Sequence, residues 1–275
     1  MKDTGIPGAP ALGPAFERTV AELQDALTAT AGTGHGPVWY PPLMSAARIE
    51  RAEYAESFPH LLGTVHAYAS DRSDQRGGPA DERPATDVVL APAVCYNLYA
   101  ELAGQQLDDQ VVLDAAGYCY RHEATSETGR FRSFRMREFV TVGSAEQAAD
   151  WRDSWIPRCE TFLGGLGLDV RVVSATDPFF GPGGRLMRST QLEQGLKYEF
   201  VAKLTDTDPG TAIASANRHR DHLGRRFDIR HGEDAAHSSC VAFGLERIAL
   251  ALVHAHGEDR RNWPRITAPD ALTAV

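Results

Sequence analysis

Residues 111 to 142 read as two extended arms around one short polar loop, and an antiparallel hairpin of that length commits the chain to a fold built on a sheet. The first arm, Val111 to Arg121, and the second, Ser133 to Val142, are rich in β-branched and aromatic residues, while Glu123 to Gly129 is polar and turn-like. Side chains alternate across a strand, so Arg121 and Glu123 emerge on one face and His122 on the other. A guanidinium there can clamp a phosphate bidentately, and a carboxylate two residues on can accept from an exocyclic amine such as that of adenine. The pattern suits a nucleotide site without a glycine loop. Taken alone, Arg121, Arg130, Arg132, Arg135 and Arg137 equally fit the solvated face of a surface hairpin, the usual fate of a run of charge. A distant segment tips the balance. Gly244-Leu245-Glu246-Arg247, followed by the apolar run IALALV, reads as a glycine turn entering a buried helix with one arginine in its first turns.

With 275 residues, 43% of them hydrophobic, the chain can bury the core of one compact domain. A net charge of −9 and a pI near 5.6 argue against a surface made to hold a long nucleic acid, which needs clustered Lys and Arg, but leave room for a local basic site. No apolar run approaches the roughly 20 residues of a membrane helix, and MKDTGIPGAPALG lacks a signal-peptide core, so the expected location is the cytoplasm. Cys95, Cys119, Cys159 and Cys240 show no CxxC spacing and are too few to staple such a domain; they read as free thiols, buried as small hydrophobes by default.

The remaining elements follow from local pattern. Residues 1–14, rich in Gly, Pro and Ala, predict no regular structure, and Phe16, Val20, Leu23 and Leu27 mark a helix over Phe16 to Ala29. Pro37 to Leu43 is a strand closed by two prolines, Ser45 to His60 a helix and loop, Ser70 to Thr86 a polar surface loop, and Val88 to Pro92 a short strand. A helix over Val94 to Ala103 sets Cys95 near its positive end, where a thiolate is favoured. Ser144 and Gln147 form a capping box that starts a helix ending at Gly164, with Trp151, Trp155, Cys159 and Phe162 as its buried stripe. Asp169 to Ala175, Gly195 to Leu204, Thr211 to Ala216 and Phe227 to Arg230 read as strands. FFGPGGR at Phe179 to Arg185 lacks the Gly-Lys-Ser/Thr of a phosphate loop and reads as a glycine turn. His219 with His222 suits a basic loop, and His254 with His256 a helix C-terminus, rather than metal sites.

The arrangement Arg-x-Glu, loop, Phe-x-x-x-Glu and, far downstream, Gly-Leu-Glu-Arg resembles motifs 2 and 3 of class II aminoacyl-tRNA synthetases, and Pro37 to Leu43 resembles their motif 1. The runs FRMREF, QGLKYEF and CVAFGLERIALAL narrow the resemblance to the amino acid:carrier protein ligases, truncated relatives of zinc-dependent seryl-tRNA synthetases. It covers roughly Tyr40 to Gly257. It implies an α+β, class II synthetase-like catalytic domain over 37–257, a mainly antiparallel sheet flanked by helices, with a tail and helix over 1–36 and a tail over 258–275. It implies an enzyme that makes an aminoacyl-adenylate from ATP and a small amino acid (glycine, alanine or a glycine-like analogue). The acceptor is then the phosphopantetheine thiol of a carrier protein.

By the same resemblance Arg121 holds the α-phosphate, Arg247 the far end of the triphosphate and Glu123 the adenine amine. Phe134 lies on the adenine, Arg130 and Phe131 lie beside triphosphate and base, Lys197 touches the nucleotide, and Glu199 is available for magnesium. Ala212, Ile213, Ala214 and Ser215 form the strand against ATP. Thr211 stands where seryl-tRNA synthetases have a metal-binding glutamate, which leaves the number of magnesium ions open. Cys95, Glu138 and Cys240 match the zinc ligands, with the substrate amine as the fourth, so Glu138 also belongs to the substrate site. Motif 1 implies a homodimer. The alternatives are tRNA or another acceptor, disfavoured by the acidic charge and by the lack of a coiled-coil arm before Pro37, and a non-catalytic regulatory or binding subunit.

Overall fold

The computed structural model describes residues 1–67, 85–123 and 127–269. In chain order these form α1 (Pro14–Ala31), β1 (Val38–Tyr40), β2 (Leu43–Ser45), α2 (Ala46–Arg51), α3 (Tyr54–Ser57), β3 (Gly63–His66) and β4 (Ala85–Leu90). Then come α4 (Cys95–Glu101), β5 (Gln106–Leu107), β6 (Val111–Tyr120), β7 (Ser133–Gly143), α5 (Ala145–Gly165), β8 (Arg171–Ser174) and α6 (Gly184–Glu193). The last are β9 (Lys197–Ala202), β10 (Thr211–Arg220), α7 (His222–Phe227), β11 (Arg230–His231), β12 (Asp234–Ala235), β13 (His237–Gly244) and α8 (Leu245–His256).

The central sheet runs β1-β6-β7-β13-β10-β9-β8, with only the β1–β6 pair parallel. The β6–β7 hairpin at its middle keeps register from Val111 opposite Val142 to Tyr120 opposite Ser133. Strict alternation along these strands divides the core in two. Phe139, Phe200, Val241 and Phe243 point to one face and bury against α1, α5 and α8, while Val140, Val142 and Cys240 point to the other and bury against α4 and α7. Phe139 stacks on Trp155 of α5 with ring centroids 4.9 Å apart, and each such buried side chain stabilises the fold by roughly 1.5–3 kcal/mol.

The same alternation settles the arginine run. Arg135 and Arg137 share the Phe139 face and are buried, not solvated. Arg135 donates to Glu246 of α8 at 2.7 Å and to Glu17 of α1 at 2.6 Å. Arg137 donates to Asp114 at 2.6 Å, Gln24 at 2.8 Å and Thr28 at 2.9 Å. Helix α1 is thus fastened to the sheet by polar as well as apolar contacts, and losing one partner of a buried pair costs about 3–5 kcal/mol.

Several expected boundaries move. The Ser45 to His60 helix splits into α2 and α3 where Glu53 takes φ 57°. The polar loop Ser70 to Thr86 falls outside the described residues up to residue 84, and β4 already includes Ala85 and Thr86. Phe227 ends helix α7 instead of starting a strand, because Leu223 and Phe227, four apart, fall on one helical face and bury against Tyr99 and its neighbours. FFGPGGR turns as expected, but Gly184 opens helix α6, which no periodic stripe announces. The capping box of α5 forms in full, Ser144 Oγ accepting from Gln147 N and Gln147 Oε1 from Ser144 N.

Candidate functional site

On the Cys240 face, strand register sets two rows of side chains across the sheet. One runs Glu138, Ala242, Ser215, Glu199 and the other Val140, Cys240, Asn217, Lys197. Two cavities open along these rows, sharing Arg121, Met136, Lys197, Ser215 and Ala242 in their common wall.

The first cavity is lined by Arg121, Glu123, Arg130, Phe131, Phe134, Lys197, Glu199, Ala212, Ile213, Ala214, Ser215 and Arg247, all twelve residues expected at the nucleotide. Strand β6 ends at Tyr120, so Arg121 and Glu123 reach the cavity from the turn; Arg121 keeps its pairing by donating its N–H to Arg132 O at 2.9 Å. The Arg121 guanidinium lies 5.5 Å from the Phe134 ring centroid, and its Nε is buried without a partner. Arg247 donates to Gly129 O at 2.8 Å and Ala212 O at 2.9 Å, which aims it across the mouth of the hairpin. Gly129 makes this possible: at φ +81° it is left-handed, and a Cβ there would lie 2.3 Å from Leu204 Cδ1. Burial, then the charges of Arg121 and Arg130, bring the Arg247 pKa down to about 10. Arg130 itself is partly satisfied by Glu127 at 2.5 Å and Glu123 at 3.9 Å. Arg121 and Arg247, half-buried and without a salt bridge among the described residues, keep donors and charge that a polyphosphate can engage.

The second cavity, about 680 Å³, holds Cys95, Glu138 and Cys240 on its wall. Glu138 Oε1 accepts from Val94 N at 3.0 Å, which fixes it beside the start of α4. Burial raises the Cys95 thiol well above its usual value, and neighbouring Glu138 raises it further, so the thiolate expected from the helix end does not follow: seven residues of dipole do not offset full burial among acidic groups. Burial likewise raises the Glu138 carboxyl and brings the Cys240 thiol up to about 12. Among the described residues no three His, Cys, Asp or Glu side chains stand in an arrangement that could hold a metal ion. The donor types nevertheless suit zinc: two thiols and a carboxyl, all raised in pKa by burial and the thiols further by Glu138, would ionise on taking up a divalent cation.

Sequence reasoning missed four polar residues of this cavity. Asn217 Nδ2 and His219 Nε2 both lie 3.3 Å from Cys240 Sγ. His219 sits on β10, not in a loop, and burial brings its pKa down to about 4. Continuing the alternation of β10 past Ala216 would have found both. Asp177 and Gln191, hydrogen bonded to each other, come from the β8–α6 connection and from α6, where no pattern marks them. Cys119 and Cys159 are buried in the cores as expected.

The profile of the family described as tRNA synthetase class II core domain (G, H, P, S and T) matches residues 84–256. Two proteins of Bradyrhizobium diazoefficiens, amino acid–acyl-carrier-protein ligases 1 and 2, are 36% and 37% identical over 261 and 276 residues, covering 90% and 96% of this chain and 80% and 82% of theirs. A type-2 serine–tRNA ligase of Methanococcus aeolicus is 28% identical over 188 residues, 65% of this chain and 36% of its own. Among solved structures, Methanopyrus kandleri seryl-tRNA synthetase bound to A. aeolicus tRNASec superposes with a TM-score of 0.83 at 22% identity, covering 96% of this chain. Cryptosporidium parvum prolyl-tRNA synthetase gives 0.70 at 15% identity over 98%. These likenesses establish the fold, and the chain spans 56% and 52% of those two structures.

Proposed function

The chain belongs to the class II tRNA synthetase core family, beside the amino acid–acyl-carrier-protein ligases, and from that premise we propose that it activates a small amino acid with ATP and passes it to the phosphopantetheine thiol of a carrier protein. The observation that carries the reading is the shared wall: Arg121 and Lys197 line both the cation-rich cavity and the one holding Cys95, Glu138 and Cys240. An amino acid in the second cavity presents its carboxylate to a nucleotide in the first.

The chemistry needs positioning and charge more than covalent help. The carboxylate oxygen attacks the α-phosphorus, the bond to the bridging oxygen breaks, and pyrophosphate leaves. Arg121 neutralises the α-phosphate, Arg247 holds the far end of the triphosphate, and Lys197 touches the nucleotide from the shared wall. Phe134 stacks on the adenine, Glu123 accepts from its amine, and Glu199 is available to a magnesium ion. In the second half the carrier thiol attacks the acyl carbon, AMP leaves, and the thiol proton is released. Cys95, Glu138 and Cys240 would hold a zinc ion, which supplies a seat for the neutral amino group of the substrate.

Pyrophosphate exchange over glycine, alanine and glycine-like analogues tests the reading, since one methylene shifts affinity by only about 1–3 kcal/mol and the panel must span that range. Exchange with one small amino acid and no RNA present is expected. Absence of exchange across the panel, with zinc and magnesium supplied, would favour a non-catalytic binding subunit. The acceptor arm compares a phosphopantetheinylated carrier protein with tRNA, the ligand of the Methanopyrus neighbour; the net charge of −9 disfavours the latter. Among the described residues no helix is long and apolar enough to cross a membrane, and four free cysteines suit the cytoplasm.

The working unit is proposed to be a homodimer. Val38 and Trp39 on edge strand β1 and Leu43 on β2 are 53%, 55% and 47% exposed, a large apolar ledge for a chain on its own. Trp39→Arg is expected to shift the protein from dimer to monomer in light scattering. A wild-type monomer at micromolar concentration would remove the dimer.

A further inference from the structure

We propose that Asp177 is a positioning residue that fixes Lys197 in the wall between the two cavities; the inference rests on the nucleotide contact given to Lys197 above. Asp177 lies in the connection from β8 to α6. Its Oδ1 accepts from Lys197 Nζ at 2.5 Å and its Oδ2 from Gln191 Nε2 at 2.7 Å. Gln191 closes the ring by accepting from the Asp177 backbone N–H at 2.8 Å. Lys197 also meets Glu199 at 3.3 Å, and its side chain is only 13% exposed.

A lysine ammonium is a compact charge on a flexible four-carbon stem, so by itself it points nowhere in particular. Two carboxylates within salt-bridge distance give it one place, and that place is the wall shared by the two cavities. The alternative is that Asp177 merely anchors the chain before α6. Gln191 provides that anchor with two hydrogen bonds that need no negative charge, whereas the oxygen on Lys197 faces a cation in a poorly solvated wall. Asp177→Asn separates the two roles, because an asparagine carbonyl and backbone N–H still serve Gln191 while the charge facing Lys197 is gone. Positioning through Lys197 also predicts non-additivity: once Lys197 is removed, Asp177 has nothing left to place.

The test is a double-mutant cycle over Asp177→Asn and Lys197→Met, read both by ATP affinity in calorimetry and by pyrophosphate exchange. Each single variant is expected to weaken ATP binding about fivefold or more and to lower kcat/KM for exchange at least about tenfold in protein that still unfolds cooperatively, with some loss of melting temperature because one partner of a largely buried pair is gone. The double variant is expected to match Lys197→Met within about twofold. Independent, multiplying losses, or an Asp177→Asn protein indistinguishable from wild type, would overturn the proposal. Should Asp177→Asn fail to fold, Asp177→Glu, whose longer arm misplaces the carboxylate, takes its place in the same cycle. The two readouts keep the inferences apart. A wild type that binds ATP but exchanges with no amino acid fails the activation reading, and the affinity cycle still judges Asp177; a wild type that binds no ATP overturns both.

Discussion

Arg121→Ala is expected to lower adenylate formation by at least about 10²-fold, the loss that follows when a preorganised group facing transition-state charge is removed. The side chain is half-buried, its Nε has no partner, and its guanidinium stands over Phe134 with no carboxylate in salt-bridge contact among the described residues, so no ion pair there ties it to the fold. Burial opposes its charge, and Tyr54, Cys119, Asp177 and Glu123 around it more than offset this and raise its pKa. The volume-matched Arg121→Met, which keeps the apolar contact with Phe134, should melt close to the wild-type temperature while remaining inactive. Arg247→Ala is expected to be equally inactive yet less stable by about 1–2 kcal/mol, since Gly129 O and Ala212 O lose their donor. Pyrophosphate exchange and thermal melting together check both. Near-normal turnover in either variant would remove that arginine from the site, and a large loss of stability in Arg121→Met would mean that it packs the core instead.

The parts of this molecule legible in its sequence are those written by short-range periodicity. The β6–β7 hairpin, the capped helix α5 and the helix behind Gly244 all carry their pattern within one element, and all form as expected. The candidate site residues were picked out for a different reason. Arg121 and Arg130 lie in the hairpin connection, Phe134 and Glu138 on β7, Lys197 on β9 and Arg247 on α8, and only the resemblance to a known motif set joined them; nothing in their spacing fixes which strands become neighbours. The same strand alternation that sent Phe134, Met136 and Glu138 toward the cavities sent Arg135 and Arg137 into ion pairs with Glu246, Glu17 and Asp114. Read as one run of charge, the five arginines concealed that division. Helix α6 and Asp177 stayed hidden because the helix shows little burial, with Leu186 at 73% exposed, and a loop aspartate is silent until its partners are known. Phe227 misled as a β former because tertiary burial against Tyr99 outweighed its weak intrinsic preference.

One zinc per chain is the second large effect expected, and Cys240→Ser is expected to weaken its binding severely and to abolish amino-acid activation with it. A serine hydroxyl is far less acidic than a thiol and a poor zinc ligand, so the substitution removes one donor of the proposed trio at almost constant volume. Cys240, Cys95 and Glu138 come from β13, the start of α4 and β7, three elements brought to one cavity wall by the sheet. Ordinary burial accounts for one cysteine; it gives no reason for two thiols and a carboxyl to face the same cavity, with Glu138 raising both thiols beyond what burial does. Hydrophobic residues would fill that wall at less cost. Asn217 and His219, both 3.3 Å from Cys240 Sγ, are placed to donate to a thiolate there and to tune its hold on a metal. ATP affinity should survive in Cys240→Ser, because Arg121 and Arg247 act in the neighbouring cavity. Metal analysis of native and variant protein, with a chelator titration of each, measures the effect apart from turnover. A native protein prepared with care that carries no zinc and takes none up, or a Cys240→Ser protein with full activity, would eliminate the metal from this site and leave the three side chains as acidic lining of the substrate cavity.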